Sequence, residues 1–164
     1  MLLDTLLEVR LRSEALISGL EPEDLGLQGM ADASPPKWHL AHTTWFFDTF
    51  VLQPHLASHT PCDPRWSYQF NSYYEAVGER HPRSERGVLS RPTIREILEW
   101  RAYVDAGLTQ VLANEPTSKL RALVELGLQH EQQHQELLLM DLLDGFSRQP
   151  LEPIYGDEAD LKTR

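Results

Sequence analysis

The stretch LGLQHEQQHQELLLMDL, from Leu126 to Leu142, places two histidines four residues apart in the longest helical segment of the chain. Residues four apart on an α-helix point in the same direction. His130 and His134 share a face with several leucines of this segment, so that face is predicted to point into the protein interior. A buried polar group without a partner costs about 1–3 kcal/mol. The two imidazoles must therefore bind a metal ion or hydrogen-bond to buried carboxylates or backbone groups.

Prolines and glycines divide the rest of the chain into further helical segments that can pack against this one. Apolar residues recur at spacings of three and four in four segments, at about 2–20, 34–52, 93–112 and 118–145. Ser34 is predicted to cap the second segment, and Thr93 with Glu96 has the spacing of a capping box before the third. No segment shows the alternation of a β-strand. We predict an all-α fold, a four-helix up-and-down bundle.

The connection between the second and third helices, about 53–91, is long for such a bundle. It contains several prolines and an aromatic cluster made of Trp66, Tyr68, Phe70, Tyr73 and Tyr74. Loops of this length are usually either functional or disordered. Because so much aromatic surface favours packing, we predict an ordered loop with a short helical turn, lying over one end of the bundle.

Composition excludes some classes of partner. Fifteen Lys and Arg against twenty-five Asp and Glu give a net charge of −10 over 164 residues, which disfavours nucleic acid and anionic membrane surfaces. The single cysteine, Cys62, cannot form an internal disulfide and fits a reducing cytoplasm. We expect a cytoplasmic protein without a transmembrane span. Bundles of this kind can form homodimers, although no apolar stripe in this sequence requires one.

A metal site needs a third ligand from another helix. His42 is the only imidazole on the apolar face of the second segment, and His39 lies about 60° away from that face at ~3.6 residues per turn. We predict His42, His130 and His134 as three neutral ligands that leave coordination positions open, as catalytic sites do. His39 is predicted to contact one of these ligands without binding the metal itself. The remaining histidines lack such spacing and are predicted at the surface: His55, His59 and His81.

The letters HEQQH also match H-E-x-x-H, in which two histidines bind zinc and the glutamate activates water for peptide hydrolysis. Neither the glycine nor the third histidine of the longer metalloprotease motif follows, although Glu152 could supply a ligand. No strand is predicted that could pair with a peptide substrate. We therefore expect Glu131 to orient a ligand imidazole or to belong to a polar network. Imidazole alone does not select among iron, zinc, copper and nickel.

Three stretches together resemble a known family. SPPKWHLAHTTWFF (34–47), FNSYYEAVGERHPR (70–83) with the following RGVLSRPT (86–93), and HEQQHQELLLMD (130–141) resemble the N-terminal DinB-like domain of the sulfoxide synthases of ergothioneine biosynthesis. The resemblance extends from the second helix to about Leu151. It implies a DinB-like helix bundle over residues 1–152, followed by a C-terminal tail over 153–164.

The resemblance also implies a site and a reaction. His42, His130 and His134 correspond to the three histidines that bind non-haem iron(II) in that family. Its enzymes use oxygen to join a thiol, cysteine or γ-glutamylcysteine, to hercynine and to oxidise the sulfur. Arginines of the family hold the carboxylates of the thiol, and Arg83 and Arg86 are the corresponding candidates here. A guanidinium fork matches a carboxylate well. Iron(II) is the expected metal, with zinc or nickel as alternatives.

Family enzymes also carry a second domain resembling formylglycine-generating enzymes, which is not found in these 164 residues. We expect the bundle to be incomplete for the full reaction without such a domain, which could be a separate protein partner. A second hypothesis is a stand-alone thiol S-transferase of the broader DinB-like superfamily, which would use a divalent metal to activate a small thiol. A third is a metal-binding bundle without catalysis.

Overall fold

The computed structural model of the protein describes residues 1–72 and 78–156. Within these ranges it contains six α-helices and no β-strand, which confirms the predicted all-α class. The helices are α1 (Leu2–Ala15), α2 (Pro36–Phe46), α3 (Gln53–His55), α4 (Pro64–Phe70), α5 (Ile94–Val111) and α6 (Ser118–Ser147). A π-helical segment (Phe47–Leu52) joins α2 to α3, and short 3-10 helices occupy Asp24–Gly26 and Arg83–Val88.

Local capping groups place the starts of the two longest helices. The Thr93 hydroxyl accepts a hydrogen bond from the Glu96 backbone N–H at 3.3 Å, and the Glu96 carboxylate accepts from the Thr93 N–H at 2.7 Å. This is the predicted capping box of α5. At α6, the Thr117 side chain accepts from the Leu120 N–H at 3.3 Å, which satisfies one of the free donors of the first turn.

Two predicted helix ends were wrong. Ser34 does not cap α2, because Pro35 occupies the N-cap position and makes no side-chain capping bond. The Ser34 hydroxyl instead accepts from the Arg86 guanidinium at 2.8 Å. Helix α1 ends at Ala15 rather than near Leu20. The chain continues from there to Leu20 as hydrogen-bonded turns.

Helix α2 lies at the centre of the fold. Nearly all of its side chains are buried, and it packs against α5 and α6. Helix α1 also packs against α6 and α5. The core around it contains Trp38, Phe46, Phe47, Leu108 and Leu138, each at most 2% exposed. This central position brings the polar residues of α2 to the inner face of α6. The up-and-down order of the helices stays a prediction.

The described part of the long connection contains helix α4 and the 3-10 helix Arg83–Val88. Helix α4 packs on α2 and buries Phe70, while the 3-10 helix Arg83–Val88 buries Arg86. Tyr73 and Tyr74 of the predicted aromatic cluster lie outside the described residues. None of the helices in the described ranges combines the length and hydropathy needed to cross a membrane.

Candidate metal centre

Helices α2 and α6 bring together the three histidines that the sequence predicted as ligands. One ligand nitrogen from each of His42, His130 and His134 lies within 4.8 Å of the other two. The Nε2 atoms of His42 and His130 are 3.1 Å apart. The helices approach closely at Gly127, one turn before His130, where the rings of Phe46 and Phe47 occupy the space that a side chain would fill. Three histidines in this arrangement could hold a divalent metal ion.

His42 is held firmly in its orientation. Its Nδ1 donates a hydrogen bond to the backbone carbonyl of Phe70 in α4, with a distance of 2.5 Å. The imidazole also stacks on Trp38, with ring centroids 4.6 Å apart, and on Trp45 at 5.7 Å. Because Nδ1 carries the proton in this bond, Nε2 keeps its lone pair and points towards His130.

His39 lies just outside the cluster, next to His134. Its Nδ1 is 2.9 Å from Nδ1 of His134, and its Nε2 is 3.1 Å from Oδ2 of Asp141. The same carboxylate oxygen accepts from the backbone N–H of Ser34 at 2.7 Å. His39 is only 3% exposed. His39 therefore contacts one of the three clustered histidines and a buried carboxylate, and its predicted support of a metal ligand stays a prediction.

The environment keeps these imidazoles neutral. Burial lowers the pKa of His42 well below its ordinary value, and the neighbouring His130 lowers it further. Burial, and then His42 and the other two imidazoles, likewise holds the pKa of His134 far below its usual range. Burial also lowers the pKa of His130 and His39. Neutral imidazole is the form that binds metal ions.

One nitrogen of the cluster lacks a hydrogen-bond partner. Nδ1 of His130 is buried, and no group among the described residues donates a hydrogen bond to it or accepts one from it. Hydrogen bonds between the imidazoles leave it unsatisfied, at a typical cost of about 1–3 kcal/mol. The neutral nitrogen donors of the three clustered rings are ligands of a kind that divalent metal ions accept.

A cavity of about 390 Å³ opens beside the three histidines. Arg83 and Arg86, the two arginines implied by the sequence resemblance, both line it. Arg86 is 4% exposed and donates to the hydroxyls of Ser34 and Ser72 at 2.8 and 3.3 Å. Arg83 is exposed at the rim. Both cations thus share one cavity with the histidine cluster.

A family model described as the DinB superfamily matches residues 5–138. The chain belongs to the DinB superfamily. A comparison with curated proteins found no match. Proteins of the DinB superfamily bind metal ions, in agreement with a three-histidine cluster that could hold one.

Glu131 does not face the cluster of this DinB domain. Its carboxylate is fully buried and forms ion pairs with Arg10, at 3.0 Å, and with Arg101, and it accepts from the Ser13 hydroxyl at 2.7 Å. Of the two interpretations of Glu131, these contacts fit the polar network rather than orientation of an imidazole. They also leave both carboxylate oxygens engaged, unlike the water-activating glutamate of a metalloprotease.

Sequence reasoning missed other polar residues around the DinB core. Asp141 was given no role, although a carboxylate two turns after His134 on the same helix was a usable signal. Asp48 is 2% exposed and accepts from the side chains of Gln53, His59 and Trp100 at 2.8–3.0 Å. The prediction that His59 lies at the surface was wrong, because the His59 side chain is only 1% exposed. It is buried as one of the hydrogen-bond donors that the Asp48 carboxylate requires.

Proposed function

We propose that this DinB domain is a metal-dependent enzyme domain that binds a small thiol carrying a carboxylate and activates its sulfur at His42, His130 and His134. The observation that carries the proposal is the shared cavity, in which the three-histidine cluster and two arginines face the same space. Three neutral nitrogen ligands leave positions open for a thiolate and a second ligand. The cationic side chains supply a partner for a carboxylate.

Arg86 is the better placed of the two arginines for recognition. Its buried guanidinium lies over the Trp38 ring, with the carbon 3.4 Å from the ring centroid, and two serine hydroxyls fix it from the side. A guanidinium held in this way loses little rotamer entropy when it binds a carboxylate. Arg83 at the rim can add a second contact for a thiol with two carboxylates, such as γ-glutamylcysteine.

The resemblance to the sulfoxide synthases supports iron(II) as the metal and hercynine as the second substrate. In that reaction the S–H bond of the thiol and a C–H bond of the imidazole are replaced by a C–S bond. One oxygen atom of O₂ goes to the sulfur, and the other leaves as water with the two hydrogens. The bound metal would supply electron transfer and a template for thiolate and oxygen. The protein's part is to hold the thiol by its carboxylate beside the histidines.

The first experiment tests the metal site. The wild-type chain is purified without oxygen, loaded with iron(II), desalted and analysed for metal content. We expect one iron per chain for the wild type and a loss of iron in His42→Ala, His130→Ala and His134→Ala. His55→Ala, which removes an exposed histidine outside the cluster, should keep the wild-type content. Unchanged iron content in the three cluster variants would rule out the site.

The second experiment separates the reaction classes. Iron-loaded protein is mixed with γ-glutamylcysteine and hercynine, with and without oxygen, and the products are identified by mass spectrometry. A sulfoxide product with oxygen uptake supports the synthase chemistry. Thiol conjugation to an added electrophile, such as monobromobimane, without oxygen supports the thiol S-transferase class. Stable metal content without any spectral response to the thiol supports the non-catalytic bundle and contradicts the proposal.

A further inference from the structure

A chain of three side chains leads from α6 through α2 and back to the metal centre. Oδ2 of Asp141 lies 3.1 Å from Nε2 of His39, and Nδ1 of His39 lies 2.9 Å from Nδ1 of His134. Asp141 is 9% exposed and His39 is 3% exposed, so water competes little for these contacts. The carboxylate is itself fixed by the backbone N–H of Ser34 at 2.7 Å.

The direction of the hydrogen bonds follows from the chemistry of the groups. An ionised carboxylate only accepts hydrogen bonds, so Nε2 of His39 must carry a hydrogen. A neutral imidazole carries one hydrogen, so a neutral His39 that donates from Nε2 to Asp141 keeps Nδ1 as an acceptor towards His134. Nδ1 of His134 must then donate to it. The lone pair of His134 is thereby placed on Nε2.

We propose that Asp141 is a positioning residue of the metal centre, which acts through His39 to fix the tautomer of His134 and so selects Nε2 as its metal-binding atom. The part concerning the metal rests on the proposed function. The part concerning the tautomer does not, because it follows from hydrogen bonds within the protein alone.

The other two histidines depend on different partners, which makes the role of Asp141 specific. His42 is oriented by the Phe70 carbonyl at 2.5 Å, and Nδ1 of His130 has no partner among the described residues. Removal of the Asp141 carboxylate should therefore disturb His134 and leave the orientation of His42 unchanged. The loss of such an outer partner typically lowers metal affinity by about 10–100-fold.

The tautomer can be tested in the wild-type, metal-free protein. Histidine is labelled with nitrogen-15, and long-range proton–nitrogen correlation spectra show which ring nitrogen of each residue carries the hydrogen. We expect hydrogen on Nδ1 of His134 and on Nε2 of His39. Hydrogen on Nε2 of His134, or a doubly protonated His39 at neutral pH, would overturn the proposal. This measurement needs no substitution, so it is independent of any effect on folding.

The positioning role is tested with two substitutions at the same site, using Zn²⁺ as the probe and calorimetry as the readout. Asp141→Ala removes the acceptor and should weaken Zn²⁺ binding by about 10–100-fold. Asp141→Asn keeps one oxygen, which can accept from both Ser34 and His39 as Oδ2 does now, and should restore most of the affinity. Asp144→Ala is the matched control, because it removes a carboxylate one turn further along α6 that pairs with Arg148 instead.

The outcomes show separately whether the positioning role of Asp141 fails or the proposed function fails. Wild-type Zn²⁺ affinity in Asp141→Ala, or an Asp141→Asn variant as weak as Asp141→Ala, would overturn the positioning role while the metal site stands. Failure of the wild-type protein to bind Zn²⁺ would overturn the metal-binding role and, with it, the proposed function. The tautomer of His134 in the metal-free spectrum would still support or contradict the hydrogen-bond chain.

Discussion

The guanidinium of Arg86 and the indole of Trp38 are in direct contact, with the guanidinium carbon 3.4 Å from the ring centroid. The same indole stacks on His42, whose ring centroid lies 4.6 Å away. A single rigid aromatic side chain therefore sets the position of the Arg86 guanidinium relative to the three-histidine cluster. Trp38 is further fixed by its Nε1–H, which donates to the Gln69 carbonyl at 3.0 Å.

This contact leads to a prediction about substrate affinity. Arg86→Gln should raise the dissociation constant for γ-glutamylcysteine by about 10–100-fold, because a hydrogen bond to a charged group contributes about 1.5–3 kcal/mol. Cysteamine has the same thiol without a carboxylate, so its affinity should change little. Both are measured by titration of the metal-loaded protein. An equal loss for both thiols would show that Arg86 supports the fold rather than the carboxylate.

The buried network around Glu131 leads to a prediction about stability. Glu131→Gln would remove the buried anion shared by Arg10 and Arg101, both fully buried, and leave them only their partly exposed partners Asp105 and Glu14. Breaking a buried ion pair by removing one partner typically costs about 3–5 kcal/mol. We expect a loss of this size in the free energy of unfolding measured with urea. Glu136→Gln removes an exposed glutamate from the same helix and should stay close to the wild-type value.

Much of this fold and of its candidate site could be predicted from the sequence, because the signals were local. The capping box of Thr93 and Glu96 fixed the start of α5 to within one residue. The spacing of His130 and His134 fixed their common face. His42 could be added because the apolar face of the second helix offers no other imidazole, and the three histidines meet in the structure.

The remaining features depend on contacts that leave no local pattern. Arg10 and Glu131 are 121 positions apart in the chain, and nothing near either residue indicates the other. The Phe70 carbonyl that orients His42 is a backbone group, so residue type gives no signal for it. Ser34 was wrongly predicted to cap a helix, because a serine followed by two prolines is typical of a helix start. In the structure its hydroxyl accepts from Arg86 and its backbone N–H donates to Asp141, and both partners are distant in the sequence.

The close approach of α2 and α6 leads to a prediction about packing. A Cβ atom at Gly127 would lie 2.6 Å from Cε1 of Phe47 and 2.8 Å from Cε1 of Phe46, and both rings are buried. Overpacking of this kind costs about 1–3 kcal/mol, against a helix-propensity gain of about 0.8–1.0 kcal/mol. Because neither ring can move aside easily, we expect Gly127→Ala to lower the melting temperature.

The matched control for this substitution is Gly19→Ala. A Cβ atom at Gly19 meets nothing within 4 Å, so this variant should be neutral or slightly stabilising. Both variants are compared by thermal unfolding followed by circular dichroism. A melting temperature of Gly127→Ala equal to that of Gly19→Ala would contradict the described contact between the two helices.

The last prediction concerns the single cysteine. Burial raises the pKa of the Cys62 thiol, and the carboxylates of Asp48 and Asp63 raise it further, against a hydrogen bond from the Asp63 backbone that lowers it. The thiolate is the reactive form, so a raised pKa reduces the reactive fraction at any given pH below it. We expect the rate of alkylation by iodoacetamide to rise at higher pH in the folded protein than in the same chain unfolded in urea.

The midpoint of the pH–rate profile is the quantity to compare, because restricted access of iodoacetamide to the thiol scales the rate without moving the midpoint. Mass spectrometry follows the modified fraction, and Cys62 is the only cysteine, so each chain reports one thiol. A midpoint in the folded protein at or below that of the unfolded chain would contradict the prediction. Such a result would mean that the hydrogen bond from Asp63 outweighs burial and the two neighbouring carboxylates.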